Sequence, residues 1–173
     1  MNYKNTRNNE FGFSGVAVII ILTLLIFAGI FIIGEGVGIK NDASGNASLL
    51  QASEKVYDFG TISMAKGNVE KIFKVTNPTE KDIFVKTVTT SCMCTSAYIV
   101  KDGSEKGPFK MPGMGYVPPA NETIKAGGSM DIKVVYDPNA HGPAGVGIID
   151  RFVYLADAGG GKIQLEIKAN VTP

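Results

Sequence analysis

The last stretch of the chain alternates cleanly between apolar and polar residues. From Lys162 to Val171, one parity holds Ile163, Leu165, Ile167, Ala169 and Val171, and the other holds Lys162, Gln164, Glu166, Lys168 and Asn170. Successive side chains of a strand leave opposite faces, so this pattern predicts a strand with one face buried. Met130–Tyr136 repeats it, with Ile132, Val134 and Tyr136 on one face and Asp131 and Lys133 on the other. Shorter β-branched runs predict strands at Lys55–Phe59, Val69–Asn77, Ile83–Thr89, Ser96–Val100 and Gly147–Leu155. Turn signals separate them, among them Asn77-Pro78 and Ala126-Gly127-Gly128. No helical period follows residue 54. About seven half-buried strands joined by short turns predict an all-β fold, an immunoglobulin-like antiparallel β-sandwich over residues 55–173. The outward lysines of the last strand would suit a sheet edge.

A different pattern rules near the N-terminus. Val16–Ile33 is apolar on every face and carries no charge. At about 1.5 Å per residue a helix of this length covers most of a hydrocarbon core of roughly 30 Å. Residues 16–33 are therefore expected to form a single transmembrane helix, with the lipid bilayer as partner. Lys4 and Arg7 precede it against Glu10 alone. The positive-inside rule then puts residues 1–15 in the cytoplasm and the C-terminal domain outside the cell membrane. A cleaved signal peptide competes with this reading, through Ala43–Ala47, but the apolar run is longer than such peptides carry. A pilin-like leader at Gly12-Phe13 would need an early Glu in the run, and none is there. Residues 34–54, rich in Gly, Asn, Ser and Ala, are expected to be a flexible linker spanning roughly 25 Å.

Charge and composition narrow the function. The net charge is +1, too small for the basic field of a nucleic-acid binder. With 1 His, neither a two-His zinc motif nor a His-paired relay between two imidazoles can be built. No nucleophile–base constellation stands out, so the expectation is a non-enzymatic protein without a resident cofactor.

The chemistry that remains is Cys92-Met93-Cys94. In an extended strand both thiols leave one face with their Cα atoms about 6.5–7 Å apart, at the limit for a disulfide, so a bond requires a turn or bulge. Three readings stand side by side. The pair is a tight disulfide or two buried thiols, or a redox-active pair, or a soft-metal site for copper or zinc. The third reading would enlist His141, Met111 and Met114. If strands alternate in direction, the loops after the third and fifth strands lie at one end of the sandwich, which would bring His141 toward the thiols. Taken singly, His141 reads as an exposed loop residue and the two Met as loop packing. The Gly103–Pro119 excursion, with Phe109, Met111, Met114 and Tyr116, is the expected contact surface for an envelope or secreted protein.

Five motifs occur in order: Tyr57-Asp58-Phe59-Gly60-Thr61-Ile62, Phe73-Lys74-Val75-Thr76-Asn77, Thr90-Ser91-Cys92-Met93-Cys94-Thr95, Ile124-Lys125-Ala126-Gly127-Gly128 leading into Ile132–Asp137, and Leu165–Val171. In this order they resemble bacterial domain-of-unknown-function family 1573, related to the Hydin and major-sperm-protein group of immunoglobulin-like domains. The resemblance spans about Val56 to Val171, and the cysteine motif is its most specific part. The family typically has Gly where this chain has Met93, and the Asp102–Asn121 loop is longer here. The resemblance implies a sandwich fold and no assigned reaction.

Overall fold

A computed structural model describes residues 46–173. The expected cytoplasmic segment, the transmembrane helix at 16–33 and most of the expected linker lie outside the described residues. Among those described, no helix is long and apolar enough to cross a membrane.

The described residues form eleven strands: β1 (Asn46–Ala47), β2 (Gln51–Ala52), β3 (Val56–Ser63), β4 (Val69–Thr76), β5 (Ile83–Thr90), β6 (Thr95–Lys101), β7 (Ser104–Phe109), β8 (Glu122–Ile124), β9 (Ser129–Tyr136), β10 (Gly147–Asp157) and β11 (Gly161–Thr172). Two short 3₁₀ turns, Met64–Lys66 and Gly142–Gly145, complete the secondary structure. One sheet runs β1-β11-β10-β5-β8, with β3 also paired to β11; the other runs β2-β4-β9-β6-β7. Pairing is antiparallel except where β1 and β3 meet β11. The inward rows of both sheets share one core, including Phe73, Val75, Val85, Val88, Ile99, Ile132, Tyr136, Leu155, Leu165 and Ile167. The inward parity read for β11 and β9 is the buried one: Ile163, Leu165, Ile167, Ala169, Val171, Ile132, Val134 and Tyr136 are all buried.

Three expectations change. Residues 46–54 are not a free linker. Ser48 Oγ donates to Asp157 Oδ2 at 2.7 Å, and Leu50 is buried in the core. This segment pairs first with β11, then through β2 with β4, and returns as β3 to β11. The last strand is therefore not an edge, because β1 and β3 cover its outer side. Finally, the Gly103–Pro119 excursion begins with a strand. β7 pairs with β6 at the sheet margin and exposes all its residues but Phe109, so no alternation marks it. A short, charged strand is what a sheet edge tolerates. Beyond it the chain runs back along β5 and rejoins it where the Ala120 N–H donates to the Lys86 carbonyl at 2.9 Å.

Candidate functional site: the cysteine turn

β5 lies in one sheet and β6 in the other, so the four residues Ser91–Cys94 cross the end of the sandwich. They do so as a turn. The Thr95 N–H donates to the Cys92 carbonyl at 3.2 Å, and Ser91 exchanges bonds of 2.9 Å with the Phe152 backbone in both directions. The Thr90 hydroxyl, itself buried, lies 3.0 Å from the Cys92 carbonyl and 3.1 Å from that of Thr95. This fold-back shortens the Cys92–Cys94 Cα separation to 5.3 Å, inside the disulfide range, and the two sulfurs are bonded. The first of the three readings therefore describes this state of the pair. Met93 points outward, 45% exposed, while Cys94 is buried and Cys92 partly so.

Two other elements reach the sulfurs. The Asp137 N–H donates to the Cys94 carbonyl at 2.9 Å and starts the loop between β9 and β10 beside the turn. The Asp137 carboxylate accepts from the Asn139 N–H at 2.8 Å, and the Asn139 side-chain amide donates to the Met64 carbonyl at 2.9 Å. Held this way, the loop places His141 Nε2 at 3.2 Å from Cys92 Sγ, with the ring otherwise exposed. The expectation that these two loops meet at one end holds.

The second element was not expected. Arg151 Nε donates to Cys94 Sγ at 3.3 Å, and its Nη1 donates to the Asp150 carbonyl at 2.8 Å. Arg151 lies on the parity of Ile149, Val153 and Leu155, which face the core. A charge on an apolar row was the available signal. It lands there because β10 pairs with β5 at Val153–Thr90, which sets Arg151 just beyond the end of β5, under the cysteine turn. Burial pushes the nearby Tyr136 hydroxyl above its ordinary pKa, an effect that the positive charge of Arg151 opposes.

The donor atoms of Cys92, Cys94 and His141 all lie within 4.8 Å of one another. Met111 and Met114 belong to a separate turn, closed by the Met114 N–H to the Met111 carbonyl at 3.4 Å. Their excursion does start beside the site, where the Thr90 N–H donates to the Lys110 carbonyl at 3.3 Å. Of the four residues expected to form a contact surface, Phe109 is a core residue with no exposure, so it contacts no partner. Tyr116 and Met114 are 85% and 53% exposed. A groove of about 640 Å³ lined by Leu49, Asp82, Ile83 and Phe84 lies toward the other end of β5 and holds no thiol or imidazole.

Solved structures similar to this chain share little of its sequence. A protein of unknown function from Porphyromonas gingivalis superposes with a TM-score of 0.51 at 14% identity, over 77% of this chain and 51% of that one. The chain thus spans about half the length of that protein, and the likeness concerns the fold. The VesB protease of Vibrio cholerae gives a TM-score of 0.44 at 19% identity, covering 71% of this chain and 32% of the other. The CupB2 chaperone of Pseudomonas aeruginosa gives 0.40 at 16% identity, covering 70% and 55%. No curated protein matches in sequence. Residues 50–109, which contain the cysteine turn but neither His141 nor Arg151, match the family described as "Protein of unknown function (DUF1573)", and the likeness covers that part of the chain alone.

Proposed function

We propose that this protein is a non-enzymatic binding module of the cell envelope. In this reading residues 16–33 anchor it to the membrane with the N-terminus inside, and the sandwich stands outside as a scaffold for an envelope or secreted protein. The anchor is supported by the uncharged apolar run, and the orientation by Lys4 and Arg7. The immunoglobulin-like character, and a relation to the Hydin and major-sperm-protein group, belong to the same proposal. The two-sheet arrangement with a shared core supports them.

The observation that carries the binding reading is the display of large apolar side chains on loops of a rigid body. Tyr116, Met114 and Met93 are 85%, 53% and 45% exposed, and all three belong to segments that leave the end of β5 or β7. Loops on a stable sandwich are where such domains carry recognition. Photo-crosslinking in native membranes tests it. A crosslinker at Tyr116 or Met93 is expected to give a discrete adduct that a crosslinker at exposed Gln164 does not. The same adduct pattern from all three positions would remove the proposal.

A further inference from the structure

We propose that the cysteine turn is a redox-gated site for one Cu(I) ion, with Cys92, Cys94 and His141 as ligands. This goes beyond the protein-binding reading and does not depend on it.

The donor set comes first. Two sulfurs and an imidazole nitrogen from two different loops lie within 4.8 Å of one another. Metal bonds to thiolate are about 2.3 Å and to imidazole about 2.0 Å, so donors around one ion stand roughly 3.5–4 Å apart. The His141 Nε2–Cys92 Sγ distance of 3.2 Å is already near that value. The main movement required is opening of the sulfur pair, and the turn keeps their Cα atoms 5.3 Å apart, close enough for both to face one ion.

Charge selects the metal. Soft thiolates favour Cu(I) and Zn(II) over harder ions. Two thiolates with Cu(I) sum to one negative charge, whereas with Zn(II) they sum to zero. Arg151, with its Nε 3.3 Å from Cys94 Sγ, supplies the balancing positive charge only in the first case. Three protein donors also suit an ion content with low coordination, whereas structural zinc closes a set of four. The same guanidinium favours the Cys94 thiolate, so it assists both release of the disulfide and capture of the ion.

The gate is the disulfide itself. A dithiol reductant transfers two electrons and two protons. The Cys92–Cys94 bond breaks, both sulfurs become thiols, and the reductant becomes a disulfide. Cu(I) then replaces the two thiol protons, which pass to solvent. In the reverse direction a disulfide oxidant accepts two electrons from the two thiolates and takes up two protons from solvent to become a dithiol, the Cys92–Cys94 bond re-forms, and Cu(I), having lost both sulfur ligands at once, is released.

The test uses the full chain in detergent. It is reduced with a dithiol, freed of reductant under argon, and titrated with Cu(I) against a coloured Cu(I) chelator, and separately with Zn(II). The expected result is one Cu(I) per reduced chain, a thiolate-to-copper absorption in the ultraviolet, and no such binding by the oxidised chain. His141→Ala is expected to weaken Cu(I) binding about ten-fold or more. Cys92→Ser/Cys94→Ser is expected to abolish it, and the oxidised wild type serves as an unmutated control for that variant. Equal copper uptake by reduced and oxidised chains, unchanged affinity in His141→Ala, or a preference for Zn(II) would each overturn the assignment.

Discussion

A gate of this kind works only if the sandwich survives without its disulfide, and the size of the closed loop says that it does. Cys92 and Cys94 are two positions apart, so the bond closes a loop of three residues. The chain-entropy relation for so short a loop gives a stabilisation of about 1.6 kcal/mol at 25 °C. Truncating one buried Leu, Ile or Phe typically costs about 2–5 kcal/mol. The bond is thus worth less than one side chain of a core that includes Phe73, Phe109, Ile132, Leu155 and Leu165. Contacts that need no bond also hold the turn, among them Ser91 with Phe152 and the Asp137 N–H on the Cys94 carbonyl. Urea unfolding of oxidised and dithiol-reduced protein, followed by circular dichroism, is expected to show a loss near this value with an unchanged slope. In a thermal scan the midpoint should fall by about 5 °C. A reduced protein that unfolds, or one that loses more than about 4 kcal/mol, would refute the argument and make the bond a staple of the fold.

Other substitutions separate core from surface. Phe109→Ala should destabilise by about 3–5 kcal/mol, and Tyr116→Ala by less than about 0.5, since one side chain is fully buried and the other 85% exposed; denaturant midpoints decide. Asn77→Ala should cost about 2–4 kcal/mol in the same assay. The buried Asn77 amide donates to the carbonyls of Lys81, Ile124 and Lys125 and accepts from the Thr79 N–H, tying the β4–β5 turn to β8, and alanine leaves those groups unpaired. Asp82 accepts hydrogen bonds from the Lys125 ammonium and the Ala126 N–H, which hold its carboxyl below the usual aspartate range. A pKa lowered by folding adds stability that is complete above the unfolded value and lost as the pH falls through the folded one. The stability difference between wild type and Asp82→Asn should therefore close on acidification; a constant difference across the acid range would show that the pair contributes nothing.

Local pattern alone was enough for much of this protein. Alternation placed β9 and β11 and named their buried rows, because burial of one strand face imposes a period of two on the residues themselves. The cysteine pair was legible as the centre of the chemistry, since two thiols so close can be nothing but neighbours. What the alternation could not mark were the strands that bury almost nothing: β1 and β2 are held by backbone pairing to β11 and β4 far along the chain, and β7 by backbone pairing to the adjacent β6. Phe109 illustrates the limit, because an aromatic in a Gly/Pro-rich loop reads as a contact residue until the pairing of β7 with β6 turns it inward. The site itself was decided only by tertiary structure. His141 and Arg151 meet the sulfurs across 49 and 57 residues of sequence. Strand order and register bring them there, and those follow from how two sheets close on one core, a property of the whole chain and of no segment within it.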